Sequence, residues 1–272
     1  MNYLNFHLHA AGVMAPGMTS LAELRSISRS GEYPPSLAPL QLPSPAMLPA
    51  NERRRASQVV RLTQACIEQA LRDSPFPAGS LRSVFATDEG TGEICQQVLQ
   101  AVTTTREVSP LVFANSVQNA PSGYFSIAWD NQQSSTVVSL GLESFASGLL
   151  CAVTEAAASK QPVLLVAYDP AMTAPMDELL PIREATATAW IISGGALAAG
   201  VPALGSFAVG LEHDGAHEPT PFPGWLPSHW AIHSSAAALA ALALLEAPAG
   251  TVYRIPLSGQ TLCLLRLPGD MQ

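Results

Sequence analysis

The chain has 272 residues, 48% of them hydrophobic and only 12% charged, and its formal net charge is -8 at pH 7. That length and apolar content suffice for a sizeable core, as one large domain or two intimate halves. The acidic balance excludes a nucleic-acid surface, which needs clustered Lys and Arg, and disfavours docking of an acidic protein by this chain alone. So few charges leave surface for something else to cover, and a protein partner is the simplest cover.

The most apolar stretch, Ala236 to Leu245, is shorter than the roughly 20 residues a bilayer requires, so no membrane span is expected. Cys66, Cys95, Cys151 and Cys263 form no CxxC pair. The start "MNYLNFHLHAAGVMAPG" lacks the basic residues and long apolar run of a secretory signal. Both features point to a reducing, cytoplasmic setting with free thiols.

In chain order, "YLNFHLHAAGV" alternates as a first strand, and residues 14–50, with seven prolines, read as a long irregular arm. "NERRRASQVVRLTQACIEQALRD" reads as one amphipathic helix with Val60, Thr63, Ile67, Ala70 and Leu71 on one face. Arg53 to Arg55 would open that helix, where its dipole disfavours cations, so one of them is expected to pair with a carboxylate. "LRSVFATDEGTGE" is a strand, a turn and the start of a helix through Val102, and "TVVSLGLESFASGLLCAVTEA" is a strand that turns into a helix. "QPVLLVAYD" is wholly apolar, as in a strand buried on both faces of a parallel sheet. "EATATAWIISGG" and "GSFAVGLEH" read as a pair of strands with a short Ala/Gly connection. A Pro-rich loop, a helix from Ser234 to Glu246 and a closing hairpin, "GTVYRIPLSGQTLCLLRLP", complete the chain. Strands alternating with helices of this length predict an α/β fold.

Short motifs carry little chemistry. "DEGTGE" lacks the spacing and the lysine of a phosphate loop, and its carboxylates would repel a phosphate. His7 with His9, His229 with His233, and the group His213, Asp214, His217 and Glu218 invite a metal, yet no HExxH is present, so no metal and no cofactor is expected. Ser144 in "GLESF" stands one place too late for a nucleophile elbow.

Over a longer span, "SPLVFANSVQNAPSGYFSIAWDNQQSSTVVSLGLESFASGLLCAVTEAAASKQPVLLVAYD" resembles the β-ketoacyl synthases of the thiolase-like superfamily. Pro110, Phe113, Asn119, Gly123 and Ile127 match the first part of the family pattern, Thr136 to Ser139 the strand before the nucleophile, and Val163 to Val166 the following buried strand. The resemblance implies a thiolase-like layered α/β/α fold, a single domain over 1–272 in which 1–170 corresponds to a complete N-terminal half and 171–272 to a shortened second half. It places Leu142 where the family carries its cysteine, and it finds no histidine in a family-like motif, so the chain is expected not to be an enzyme.

The shortened form is similar to the chain length factors of aryl polyene pigment clusters, inert homologues that pair with an active ketosynthase in type II polyketide synthesis. That likeness implies an active β-ketoacyl synthase as partner, with the acyl carrier protein engaged indirectly through it. It further implies a two-fold interface on the strand Ser135, Thr136, Val137, Val138 and Ser139, and a tunnel gate at Phe113, Ser116 and Val117. An acyltransferase or hydrolase using Ser144 or Glu143, and a purely structural interaction protein, remain the alternatives.

Overall fold

In the computed structural model, which describes residues 2–34, 40–196, 199–213, 215 and 217–268, the chain is organised by one eight-stranded sheet. The elements run β1 (Leu4–Met14), α1 (Leu21–Ser30), α2 (Ala50–Arg55), α3 (Gln58–Arg72), β2 (Arg82–Ala86), α4 (Gly92–Thr104), α5 (Pro110–Ala114) and α6 (Ala120–Trp129). They continue with β3 (Ser135–Val138), α7 (Ser144–Ser159), β4 (Val163–Asp169), β5 (Thr186–Gly194), β6 (Gly205–His213), α8 (Ser234–Leu242), β7 (Val252–Leu257) and β8 (Gln260–Arg266). The strand order is β3-β2-β4-β5-β1-β6-β8-β7. The first three strands are parallel and the remaining pairs antiparallel.

Because a strand's side chains alternate between faces, an apolar run must be covered on both sides. In β4, Val163, Leu165 and Ala167 enter one core, with α7 and α8, whereas Leu164, Val166 and Tyr168 enter a second, with α3 and Phe125 of α6. Three α/β/α layers follow directly. β4 is buried throughout as its composition predicts, but it is parallel to β2 only and antiparallel to β5.

Three further sequence expectations change. The arm at 14–50 contains α1: Ser20 accepts a hydrogen bond from the Glu23 N–H, Glu23 accepts one from the Thr19 N–H, and Gly31 ends the helix at φ +73°. Residues 35–39 of that arm lie outside the described residues. The single amphipathic helix is two, broken at Ala56 and restarted by Ser57, which caps α3 through the Val60 N–H. Arg53 to Arg55 therefore close a helix rather than open one, so the dipole favours them. The expected partner is present all the same, Glu52 at 3.6 Å from Arg55. Finally, β5 and β6 both form but do not pair with each other, since β1 lies between them. The Ala/Leu helix ends at Leu242, and a 3-10 turn covers Ala243–Glu246.

Candidate functional site

The corner between β3 and α7 is built by its own backbone. The Thr87 N–H donates to the Val138 oxygen at 3.1 Å, and the Ser139 hydroxyl donates to the Asp88 oxygen at 2.7 Å, which anchors the end of the strand to the loop after β2. Gly141 turns the chain at φ +59°, a left-handed conformation that costs glycine little. Gly148 lets α7 approach β2, because a Cβ there would meet the Ala86 Cβ at 2.6 Å.

The side chains at the corner divide sharply. Ser144 is fully buried; its hydroxyl donates to the Gly141 oxygen at 2.6 Å and accepts from the Leu140 N–H at 2.8 Å, so both functions serve the turn. Glu143 accepts from the Ser258 hydroxyl at 2.6 Å. Leu142, the residue at the family's nucleophile position by resemblance, is 55% exposed. Cys151 lies in the third turn of α7, away from this corner, facing an open groove of about 700 Å³ together with Leu150, Thr154 and an Arg82–Glu155 ion pair at 2.5 Å.

The helix α8 joins the corner from 89 residues further along the chain. The Ser234 hydroxyl oxygen accepts from the Phe145 N–H at 2.7 Å, and the Ser235 N–H donates to Asp169 Oδ2 at 2.7 Å. Asp169 Oδ1 also accepts from the Asp88 N–H at 2.8 Å and the Thr87 hydroxyl at 3.3 Å. This carboxylate thus ties the ends of β2 and β4 to the start of α8. Burial pushes its pKa up to about 6 against the hydrogen bonds that oppose the shift.

His233, immediately before α8, corrects one expectation. The sequence placed no histidine at the site, yet His233 lines a cavity of about 220 Å³ together with Leu142, Phe222, Tyr253 and Arg254. It is 2% exposed and stacks on Trp230 with ring centroids 6.1 Å apart. Burial, then the charge of His229, lower its pKa to about 4, so the ring is neutral near pH 7.

Four other histidines are held elsewhere. His7 contacts Ser206 and the Gly195 oxygen, and His9 contacts Ser193 and the Pro202 oxygen. His217 meets Glu212 at 3.0 Å and His229 meets Glu184 at 2.8 Å. Asp214 lies outside the described residues. Among the described residues no group of three or more His, Cys, Asp or Glu is placed to hold a metal, and no helix is long and apolar enough to cross a membrane.

None of the residues expected at an interface lines that cavity. Strand β3 holds Ser135 to Val138 and excludes Ser139; it pairs with β2 alone and forms one end of the sheet. The Ser83 N–H donates to Ser134 and the Thr87 N–H to Val138, so by alternation the backbone groups of Ser135 and Val137 face the open side. Phe113, in α5, is 61% exposed and Val117 is 48% exposed, while half-buried Ser116 donates to the Phe113 oxygen at 2.8 Å. Phe113 is therefore no core residue of this chain.

The sequence reading named His233 only as a possible metal ligand, and it missed Asp169. A carboxylate ending an otherwise apolar strand, and a histidine just before Ser-Ser and an alanine-rich run, were the available signals. Neither shows that the two strand ends and α8 meet.

Comparison with known proteins places this geometry. A family model described as beta-ketoacyl synthase, N-terminal domain, matches residues 29–204. Among solved structures, a chain of the ketosynthase ApeO in complex with its chain length factor ApeC from Xenorhabdus doucetiae superposes with a TM-score of 0.70 at 21% identity, over 96% of this chain and 99% of that one. The ishigamide ketosynthase/chain length factor gives 0.74 at 15% identity, over 97% and 100%. A beta-ketoacyl synthase from Burkholderia phymatum STM815 gives 0.71 at 14% identity, over 98% and 100%. At these identities the superpositions establish a thiolase-like fold. No curated protein sequence matches the chain.

Proposed function

Because the chain belongs to the β-ketoacyl synthase family, whose N-terminal domain its residues 29–204 match, we propose that it is a non-catalytic subunit of the chain length factor type. It pairs with an active β-ketoacyl synthase in a type II, aryl polyene-like pathway and shapes that partner's acyl tunnel. The observation that carries this reading is the leucine at the strand-to-helix corner. A thiol at a helix N-terminus has a lowered pKa and attacks thioesters, whereas the Leu142 side chain has no atom that can do so. His233 nearby leaves a hydrogen-bonding group in the site without a nucleophile for it to assist.

Two observations favour a partner. The β3 edge presents unpaired backbone groups, and such an edge is a template for strand addition. The opposite end of the sheet is protected: β7 carries Pro256, and Thr220 pairs with both the N–H and the oxygen of Arg254. On this reading Ser135 to Ser139 form the two-fold seam, and Phe113, Ser116 and Val117 reach the neighbour's tunnel. The chain is then one thiolase-like domain, with 1–170 as its complete half and 171–272 as its shortened half. The acyl carrier protein docks on the partner, in keeping with the charge of -8 on this chain.

A hydrolase or acyltransferase acting through Ser144 is disfavoured by that hydroxyl's burial and its two bonds to the turn. Co-expression with an active β-ketoacyl synthase of the aryl polyene type should yield a 1:1 complex by size-exclusion mass, active in condensation, with the acyl group on the ketosynthase only. An acyl adduct on this chain by intact mass would overturn the reading. An unaltered product range on mutating the gate would reduce the role to a structural one.

A further inference from the structure

A second cavity, of about 410 Å³, lies at the far end of β4 from the Leu142 corner, with His9, Phe76, Lys160, Pro162 and Ser193 among its walls. Strand β4 runs from Val163, next to that wall, to Asp169 at the corner, so roughly 20 Å of strand at ~3.3 Å per residue separates the two places. A bulge aims His9 at the cavity. Leu8 faces Ile192 and Ala10 faces Ile191, which leaves His9 as an extra residue between them. The imidazole is 4% exposed and has both nitrogens matched: Nδ1 donates to the Pro202 oxygen at 2.7 Å, and Nε2 accepts from the Ser193 hydroxyl at 2.8 Å. Burial lowers its pKa, which favours this neutral form. Phe76 meets the ring edge-on with centroids 4.9 Å apart, so the two form a fixed wall.

We propose that this cavity binds a small monocarboxylate with a flat ring body, its carboxylate paired with the Lys160 ammonium and its rings against Phe76, Pro162 and Val201. Lys160 is the only lysine of the chain and is exposed at the end of α7. None of the ion pairs among the described residues includes it, and no Asp or Glu lines the cavity. A carboxylate therefore finds an unclaimed cation and no competing anion. The volume equals roughly fourteen water molecules at ~30 Å³ each, room for one or two rings. Glycines make the floor. A Cβ at Gly194 would meet the Ala157 nitrogen at 2.7 Å, so α7 closes on β5 there, and one at Gly195 would meet nothing within 4 Å, which leaves space beside bare backbone. The carbonyl end of α7 repels anions, so a multiply charged ligand loses where a single carboxylate, placed at the rim on Lys160, gains. The site stands on these walls alone and does not depend on the partner-subunit reading.

The test uses the full chain labelled with 15N-lysine, alone or reassembled with unlabelled ketosynthase. One lysine gives one amide signal, so the NMR spectrum reports on Lys160 without further assignment. The probe is 2-naphthoate; 2-naphthamide is the same body without the charge, and acetate is the head without the body. Naphthoate should shift the Lys160 amide to saturation, and naphthamide and acetate should each bind at least tenfold more weakly. Equilibrium dialysis then compares variants at exposed positions. Lys160→Gln should weaken naphthoate at least tenfold and Lys160→Arg should restore it, while Ala196→Trp, at the mouth, should weaken it at least tenfold with the urea midpoint unchanged. The wild-type comparison of naphthoate with naphthamide stands even if a variant fails to fold. Three results would each overturn the site: a Lys160 amide unmoved by naphthoate up to its solubility, naphthamide binding as well as naphthoate, or naphthoate affinity unchanged in folded Lys160→Gln or Ala196→Trp.

Discussion

At the scale of single residues, Asp169 and His233 oppose each other in pH. A buried carboxyl with a raised pKa keeps its proton in the folded state where the unfolded chain has released it. Its contribution to stability is therefore full below ~3.9 and is lost as the pH rises through about 6. His233 has the reverse sign: the folded state favours its neutral ring, so its contribution is full above ~6.5 and is lost as the pH falls through about 4. Between pH 4 and 6 the two slopes offset each other. Relative to the parent chain, urea midpoints of Asp169→Asn should gain with rising pH across that window, and those of His233→Phe should lose. Parallel profiles for the two variants would contradict these environments. Leu142→Cys supplies a second test. A thiol at that exposed corner should react with iodoacetamide faster than Cys66 or Cys263, which are buried; burial, and Glu212 beside it, raise the Cys263 thiol to about 11. Alkylation no faster than at the buried thiols would show that the helix end does not activate this position. Condensation by the variant chain alone should stay absent, and turnover without partner would sink the non-catalytic reading.

At the scale of elements, the exposed α5 and the open β3 make different demands. Phe113→Ala should change stability by under about 1 kcal/mol, as expected for a side chain in water, and not by the ~3–5 kcal/mol of a core phenylalanine. If Phe113 closes the partner's tunnel, carrier-bound products of the variant complex should lengthen in mass spectra while turnover persists. Ser135→Pro removes an N–H that faces the open edge, at the cost of the 2.9 Å Ser83–Ser135 hydroxyl bond, which Ser135→Ala also removes. The proline variant should fold like the alanine variant and lose heterodimer at least tenfold more readily by sedimentation. Equal dimer affinities would move the interface away from β3.

For the whole molecule, Leu99 and Val102 of α4 lie exposed along with Leu111, Phe113 and Val117 at α5, and α4 buries only Gly92. A helix so little covered, in a chain whose sheet also ends on an open strand, is what a partner subunit would be expected to cover. The isolated chain should self-associate at micromolar concentration and become a single 1:1 species once the ketosynthase is present, as read by light scattering. A stable, monodisperse monomer at that concentration would count against the scheme.

How much of this was written along the chain depends on how local each cause is. Period-two alternation and an unbroken apolar run are local, so β1, β4 and the closing hairpin were legible, as was the turn from β3 into α7. The capping pair Ser20 and Glu23 with Gly31 was equally local, but the surrounding prolines masked it. By itself the sequence determined the α/β class, the family and the leucine at the corner, because these need only residue identity and order. Tertiary structure alone decided that β1 separates β5 from β6, that β3 ends the sheet, and that Asp169 and His233 meet at the corner from segments far apart in sequence. Those facts are pairings between distant segments. They are set by which apolar faces and backbone edges satisfy one another in the folded chain, and no short window of residues contains both partners.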